Sequence, residues 1–152
     1  MALEKFLELG SLIKKDEDKK IIITGKKDEI EIFNKYLARF GLVPEEILSE
    51  ELSLRQLVTL ISKSDMLITN STGPLHCAAA LGIHTISFYS PVRVCTPVRW
   101  GPFTEEHEKH YVFMPGVDQC EKCIKEKCKH FNCMDLIKAD EVYNKVNEMI
   151  KE

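Results

Sequence analysis

The 152-residue sequence has no apolar run approaching 18 residues, so no bilayer-spanning helix is expected. It has no excess of positive charge: 21 Lys and Arg stand against 24 Asp and Glu, a formal net charge of −3. A general nucleic-acid binder would be basic, and nothing here calls for an anionic membrane surface. No internal repeat or low-complexity tract is present. The opening MALEKFLELGSLIKKDEDKK is amphipathic and partly acidic, and lacks the basic start and apolar stretch of a secretory signal. A cytoplasmic protein is expected. Hydrophobic residues make up 44%, enough to pack a core in a chain about one domain long, which excludes a disordered segment.

What is present alternates between two periodicities. Leu3, Phe6, Leu7, Leu9, Leu12 and Ile13 recur at helical spacing. The run IIITG, Ile21 to Gly25, suits a strand buried on both faces. Ile30, Phe33, Leu37 and Phe40 form one helical stripe that ends at Gly41. A very short strand is predicted around Ile47. Ser53 is placed to cap a helix carrying Leu54, Leu57, Val58 and Ile61. MLIT (Met66 to Thr69), a helix to about Leu81, and TISFY (Thr85 to Tyr89) follow. A proline-rich loop, SPVRVCTPVRWGPF, leads to a last strand in HYVFM. A closing helix is expected over 139–151. Strands alternating with helices imply a Rossmann-like parallel α/β sheet with right-handed crossovers, forming a single domain over 1–152.

The turn NSTGPLHCAAALG, Asn70 to Gly82, is richer than a connection needs. In an open parallel sheet, ligands bind beyond the carboxyl ends of the strands, where Asn70, Ser71, Thr72 and Gly73 fall. Pro74 suits the first helical turn, since its missing N–H would have had no partner there. The N–H groups around it and the helix dipole attract an anion, and Gly73 lets a ligand approach the backbone. A phosphate or carboxylate site and an ordinary strand-to-helix turn both fit this composition. His76 fits either a contact to the anion or capping and packing within the first helical turn. Asp65 reads as a turn residue. In the following loop, Arg93 and Arg99 are either phosphate contacts or solvated surface. Trp100 either covers a base or packs on the sheet.

Four of the six cysteines, Cys120, Cys123, Cys128 and Cys133, fall within 14 residues, in a Cys-rich loop over 120–133. In a reducing compartment such a cluster is a metal site or a set of thiols rather than a disulfide framework. Four thiolates suit tetrahedral zinc. The spacing also matches a zinc knuckle with Cys128 in place of histidine. A nucleic-acid knuckle needs exposed aromatics, however, and the loop holds only Phe131 and His130. No other cofactor is called for.

The segment SLRQLVTLISKSDMLITNSTGPLHCAAALGIHTISFYSPV resembles the signature region of family 9 glycosyltransferases, the lipopolysaccharide heptosyltransferase family. The resemblance runs from about residue 3 to about 150. It implies the second, donor-binding domain of a GT-B fold. The ligand would be a nucleotide sugar such as ADP-heptose, and the chemistry inverting glycosyl transfer in lipopolysaccharide core synthesis. By resemblance, Thr72 and Gly73 meet the donor diphosphate, Asn70 faces the sugar, and His76 supports the turn or the phosphates. Ser71, Pro74 and Arg93 complete the donor set. Three departures stand out. Asn70 occupies the place of an acidic residue, the first strand of the domain with its basic loop is not in the sequence, and neither is the acceptor domain with its general base. No catalytic residue is therefore assigned. A separate chain supplying the acceptor domain and the missing strand is the implied partner. The other possibility is a non-catalytic remnant or interaction module carrying a zinc-binding loop.

Overall fold

A computed structural model of the protein describes residues 3–42, 47–48 and 52–150. Helix α1 (Leu3–Ile13) precedes strand β1 (Ile23–Thr24), helix α2 (Lys27–Tyr36) and strand β2 (Ile47–Leu48). Then come α3 (Leu54–Ile61), β3 (Met66–Asn70), α4 (Gly73–Ala80) and β4 (His84–Phe88). The single turn α5 (Pro97–Trp100), strand β5 (His110–Phe113) and helix α6 (Ala139–Ile150) complete the order. Strands and helices fall close to where periodicity puts them. IIITG is shorter than expected, with only Ile23 and Thr24 paired. The second helix tightens to a 3₁₀ turn over Leu37–Phe40 before Gly41. The last residue of the predicted closing helix, at 151, lies outside the described residues.

Every strand pair is parallel. β1 pairs with β2, and β3, β4 and β5 form a three-stranded sheet with β4 in the middle. β1 and β3 are not hydrogen-bonded to each other, so each presents an unpaired edge among the described residues. IIITG does not pair with MLIT. Ile21 packs against the apolar clusters of both sheets and ties them into one interior.

β4 is buried along most of its length because helices cover both of its faces. Ile86 and Phe88 point toward α1 and α6, joining Leu9, Ile13, Val142, Val146 and Met149. Phe6 meets the Phe88 ring edge-on at 5.5 Å, and Phe113 stacks on it at 5.9 Å. The alternate residues Thr85 and Ser87 turn to the other face, where α4 lies against β3 and β4. The small side chains of Ala78 and Ala79 let α4 come close to the sheet, and both are buried. α4 ends with Ile83 N–H donating to Ala78 O and Gly82 N–H to Ala79 O. That closure needs the left-handed backbone of Gly82, φ 68°. α3 starts on a reciprocal cap: Gln56 N–H donates to Ser53 Oγ and Ser53 N–H to Gln56 Oε1. No helix among the described residues is long and apolar enough to cross a membrane.

At the amino ends of β4 and β5, two histidines are enclosed. His110 Nδ1 meets Thr85 Oγ1 at 2.9 Å, while His110 Nε2 and His84 Nδ1 are buried with no hydrogen-bond partner. Burial lowers the His110 pKa from its ordinary 6.5, and His84 and His107 push the same way; Glu106 and Glu108 oppose them. A histidine held below its unfolded pKa binds fewer protons folded than unfolded. Stability is therefore complete above the unfolded value and falls as pH drops through the window below it. The urea midpoint is expected to be lower at pH ~5.5 than at pH ~7.5, either side of the ordinary histidine value, and His110→Phe to flatten that difference. An unchanged pH dependence in His110→Phe would remove His110 as its source.

Candidate functional site

The parallel ladder delivers two strand ends to one place. Asn70, the last residue of β3, lies opposite Phe88, the last of β4, and Ser71 N–H donates on to Phe88 O. Immediately beyond, Thr72 is extended (φ −139°, ψ 171°) and α4 begins at Gly73 with Pro74 in its first turn. The Thr72 side chain does not cap the helix. Its Oγ1 instead donates to Asn70 O at 3.2 Å and lies 3.2 Å from Thr69 Oγ1. Pro74 brings no N–H to this first turn and Leu75 N–H already donates to Thr72 O at 3.1 Å, so it is the Gly73 N–H that the N-cap side chain leaves uncovered. This is the arrangement in which a helix end accepts an anion, with roughly 0.3–1 kcal/mol from the dipole alone.

The turn opens into a cavity of about 630 Å³. Asn70, Ser71, Thr72, Gly73 and His76 form one wall, Phe88 and Ser90 the floor, and Cys95, Trp100 and Met134 the far side. Such a volume suits a small-molecule ligand. A Cβ built on Gly73 would meet nothing within 4 Å, so the space before its backbone is open. His76 is solvent-exposed on the cavity rim rather than packed into the core.

Of the residues singled out in the sequence, Asn70, Ser71, Thr72, Gly73 and His76 converge on this cavity. Pro74 shapes the turn without lining it. Arg93 is exposed, is not among the lining residues, and pairs with Glu121 Oε1 at 3.2 Å. Arg99 lies over the Trp100 ring, 5.3 Å from its centroid. Trp100 forms part of the wall, with its indole N–H donating to Val94 O at 2.9 Å. Phe88, Ser90, Cys95 and Met134 were not foreseen as lining residues. The first two could have been, as they end or follow a strand at its carboxyl end; Met134 comes from a distant loop and carries no such signal.

Tyr89 anchors the Trp100 side of the cavity. It is buried, and its hydroxyl donates to Trp100 O. Burial raises its pKa above the ordinary 10.0, against the smaller lowering effect of Ser71. The Cys-rich loop reaches the same region: Cys120 N–H donates to Pro91 O, Arg93 N–H donates to Cys120 O, and Val92 and Cys120 form an isolated parallel bridge. All six cysteines are free. Among the described residues, no three His, Cys, Asp or Glu side chains are already arranged around a metal position.

The comparisons with known proteins agree with one another. The family model for glycosyltransferase family 9 (heptosyltransferase) matches residues 3–133. A putative glycosyltransferase from Haemophilus influenzae is 44% identical over 52 residues, which is 34% of this chain and 15% of that protein. Lipooligosaccharide heptosyltransferase 2 from Campylobacter jejuni is 25% identical over 107 residues, 68% of this chain and 31% of that protein. Among solved structures, the family 9 glycosyl transferase from Veillonella parvula superposes with a TM-score of 0.76 at 18% identity, covering 99% of this chain and 42% of that one. E. coli heptosyltransferase WaaC with ADP superposes with a TM-score of 0.70 at 18% identity, covering 97% and 39%. E. coli ADP-heptose lps heptosyltransferase II gives 0.71 at 24%, covering 99% and 41%. The chain thus spans less than a third of these curated relatives and about two-fifths of the solved chains.

Removing the Tyr89 hydroxyl should loosen the Trp100 side of the cavity. Tyr89→Phe is expected to cost about 0.5–1.5 kcal/mol in a urea melt and to raise acrylamide quenching of Trp100, whose indole is the sole tryptophan fluorophore. Unchanged quenching would mean that Trp100 is held without Tyr89.

Proposed function

The chain belongs to glycosyltransferase family 9, the heptosyltransferases, and from that membership we propose that it is a donor-binding half, taking an ADP-heptose-like nucleotide sugar at the Asn70–His76 turn. The observation that carries this is the uncapped start of α4, opening with Gly73 into a cavity at the carboxyl ends of β3 and β4. The diphosphate lies against the Gly73 N–H at the start of α4, with the Thr72 hydroxyl and His76 beside it. Asn70 hydrogen-bonds a sugar hydroxyl. Trp100 and Met134 offer apolar surface for the rest of the nucleotide. The presence of ADP with the similar E. coli WaaC supports a nucleotide ligand.

The reaction proposed is inverting transfer. An acceptor hydroxyl attacks the anomeric carbon, the nucleoside diphosphate leaves, and a base takes the hydroxyl proton. Charge grows on the leaving phosphate, where fixed N–H groups stabilise the transition state more than the ground state. This chain contributes that stabilisation. Asn70 carries no charge and cannot serve as the base, so base and acceptor site come from a second half, either elsewhere in a longer polypeptide or on a separate chain. The unpaired edges of β1 and β3 are suited to a parallel strand from that half, since an open edge presents unmatched N–H and C=O groups. A charged nucleotide-sugar donor favours a reaction in the cytoplasm, and the names of the similar heptosyltransferases favour lipopolysaccharide core synthesis.

Amide NMR titration of the chain with ADP-heptose should give saturable shifts at Thr72, Gly73 and His76, and weaker ones with a UDP-sugar. Gly73→Val fills open space, so it should leave the melt unchanged while weakening binding about tenfold or more, roughly 1.4 kcal/mol. Absence of shifts at millimolar donor would overturn donor binding and favour a non-catalytic module. Transfer by the chain alone is expected to be undetectable.

A further inference from the structure

Just before α6 the chain folds back on itself twice around a hollow. Ile137 and Ala139 are buried, and Lys138 stands between them with its carbonyl accepting Val142 N–H. Two neighbours fixed in the core hold the Lys138 backbone in place. The preceding 3₁₀ turn, Cys133–Leu136, closes with Ile137 N–H on Met134 O, and Met134 packs against the core under α6. Asn132 enters that turn in the left-handed conformation, φ 57°, which asparagine tolerates, and its carbonyl accepts Asp135 N–H. Upstream, Phe131 N–H donates to Cys128 O and His130 N–H to Cys128 Sγ.

The hollow is a second cavity, of about 370 Å³. Lys129, His130 and Lys138 line it, against one acid, Asp135. Asp140 and Glu141, in the first turn of α6, are not among its lining residues. In a chain of net charge −3 this is a local reversal of sign. Lys5, Lys19, Lys109 and Lys145 each pair with a carboxylate three residues away. Asp135 and Lys138 have the same spacing and do not pair, and Lys129 also has no ion pair among the described residues. Both ammonium groups are thus left to a ligand. Phe131 and Leu136, each about half exposed, add apolar surface to the same space.

These groups define the chemistry of an occupant. A phosphate monoester carries about −1.5 to −2 charges near neutral pH and three strong acceptor oxygens, which matches two lysines. The volume lies at the low end for small-molecule sites and leaves room for a small organic body beside the phosphate. Asp135 accepts from hydroxyls, the Asn132 amide both donates and accepts, and the Phe131 ring offers a flat apolar face. We propose that this cavity binds a phosphorylated sugar, with the phosphate between Lys129 and Lys138, hydroxyls on Asn132 and Asp135, and the sugar ring against Phe131. The two cavities share a wall: Met134 lines the first, and its neighbours Cys133 and Asp135 line the second. A ligand here stiffens the turn that borders the first cavity. The site does not rest on donor binding.

The test is an amide NMR titration of the whole chain with glucose 6-phosphate at constant ionic strength, with glucose and sodium sulfate as controls. Saturable shifts are expected at Lys129, His130, Asn132 and Lys138, together with a shift of the Met134 methyl. Glucose should produce none, and sulfate weaker ones. Lys129→Gln/Lys138→Gln should keep the melting temperature, since both side chains are exposed, and weaken binding about tenfold or more. Lys129→Arg/Lys138→Arg should retain it. The Thr72 and Gly73 amides report the α4 turn separately, so failure at one site is distinct from failure at the other. Absence of saturable shifts around Lys129 and Lys138 overturns the proposal. So do shifts that survive the double glutamine variant, or shifts that sulfate reproduces in full, which mark charge screening alone. Lysine-dependent binding to phosphatidic acid vesicles without any response to glucose 6-phosphate would assign the phosphate to a lipid and overturn a sugar ligand.

Discussion

The parallel register of β3 against β4 is the constraint on which the rest depends. It sets Asn70 opposite Phe88, so that both strands finish at the same level and their continuations diverge from one point. One continuation becomes the Ser71–Thr72 turn and α4, the other the Ser90–Trp100 loop, and the cavity is the space between them. A slip of one residue would exchange the Ile86 and Phe88 face of β4 for the Thr85 and Ser87 face. That would set hydroxyls against α1 and α6 and large side chains against the alanines of α4. The two helix layers thus enforce the register that builds the cavity.

The long loops after β4 and β5 have little apolar burial of their own, and polar contacts fasten them to the sheet. Tyr89, directly after β4, fastens the α5 segment through its hydroxyl bond to Trp100 O. The Cys120 bridge joins the Cys-rich loop to Pro91–Arg93, and the exposed Arg93–Glu121 pair lies across the same junction. An ion pair so exposed contributes little energy, and Arg93 is not among the residues lining the cavity. The cavity wall is therefore an assembly of three loops from different parts of the chain.

The sheet is divided. β2 and β1 form one ladder and β3, β4 and β5 another, with an apolar interior shared through Ile21. The split falls beside β3, the strand that leads into the site turn.

Local patterning was enough to find the elements and about half of the cavity's lining residues. Leu9 and Ile13, Ile30 and Phe33, and Val142 and Val146 are buried as their helical spacing implies, because amphipathic periodicity is a property of neighbouring residues. The turn from Asn70 to His76 is contiguous, and its Gly-Pro chemistry is visible in the letters alone. The strand ends at Thr24 and Asn70 were less legible, since a strand extends only as far as its neighbour pairs with it. Arg93 illustrates what sequence leaves open: near the site in the chain, it faces Glu121, a residue 28 positions away. Cys95, Trp100 and Met134 became cavity walls only through loops that cross in space. The sequence by itself determined the α/β alternation, the site turn and the family, because each rests on short-range pattern. The tertiary structure alone decided the split sheet, the remaining lining of the cavity and the bridge between Val92 and Cys120, because those rest on contacts between segments that no local pattern relates.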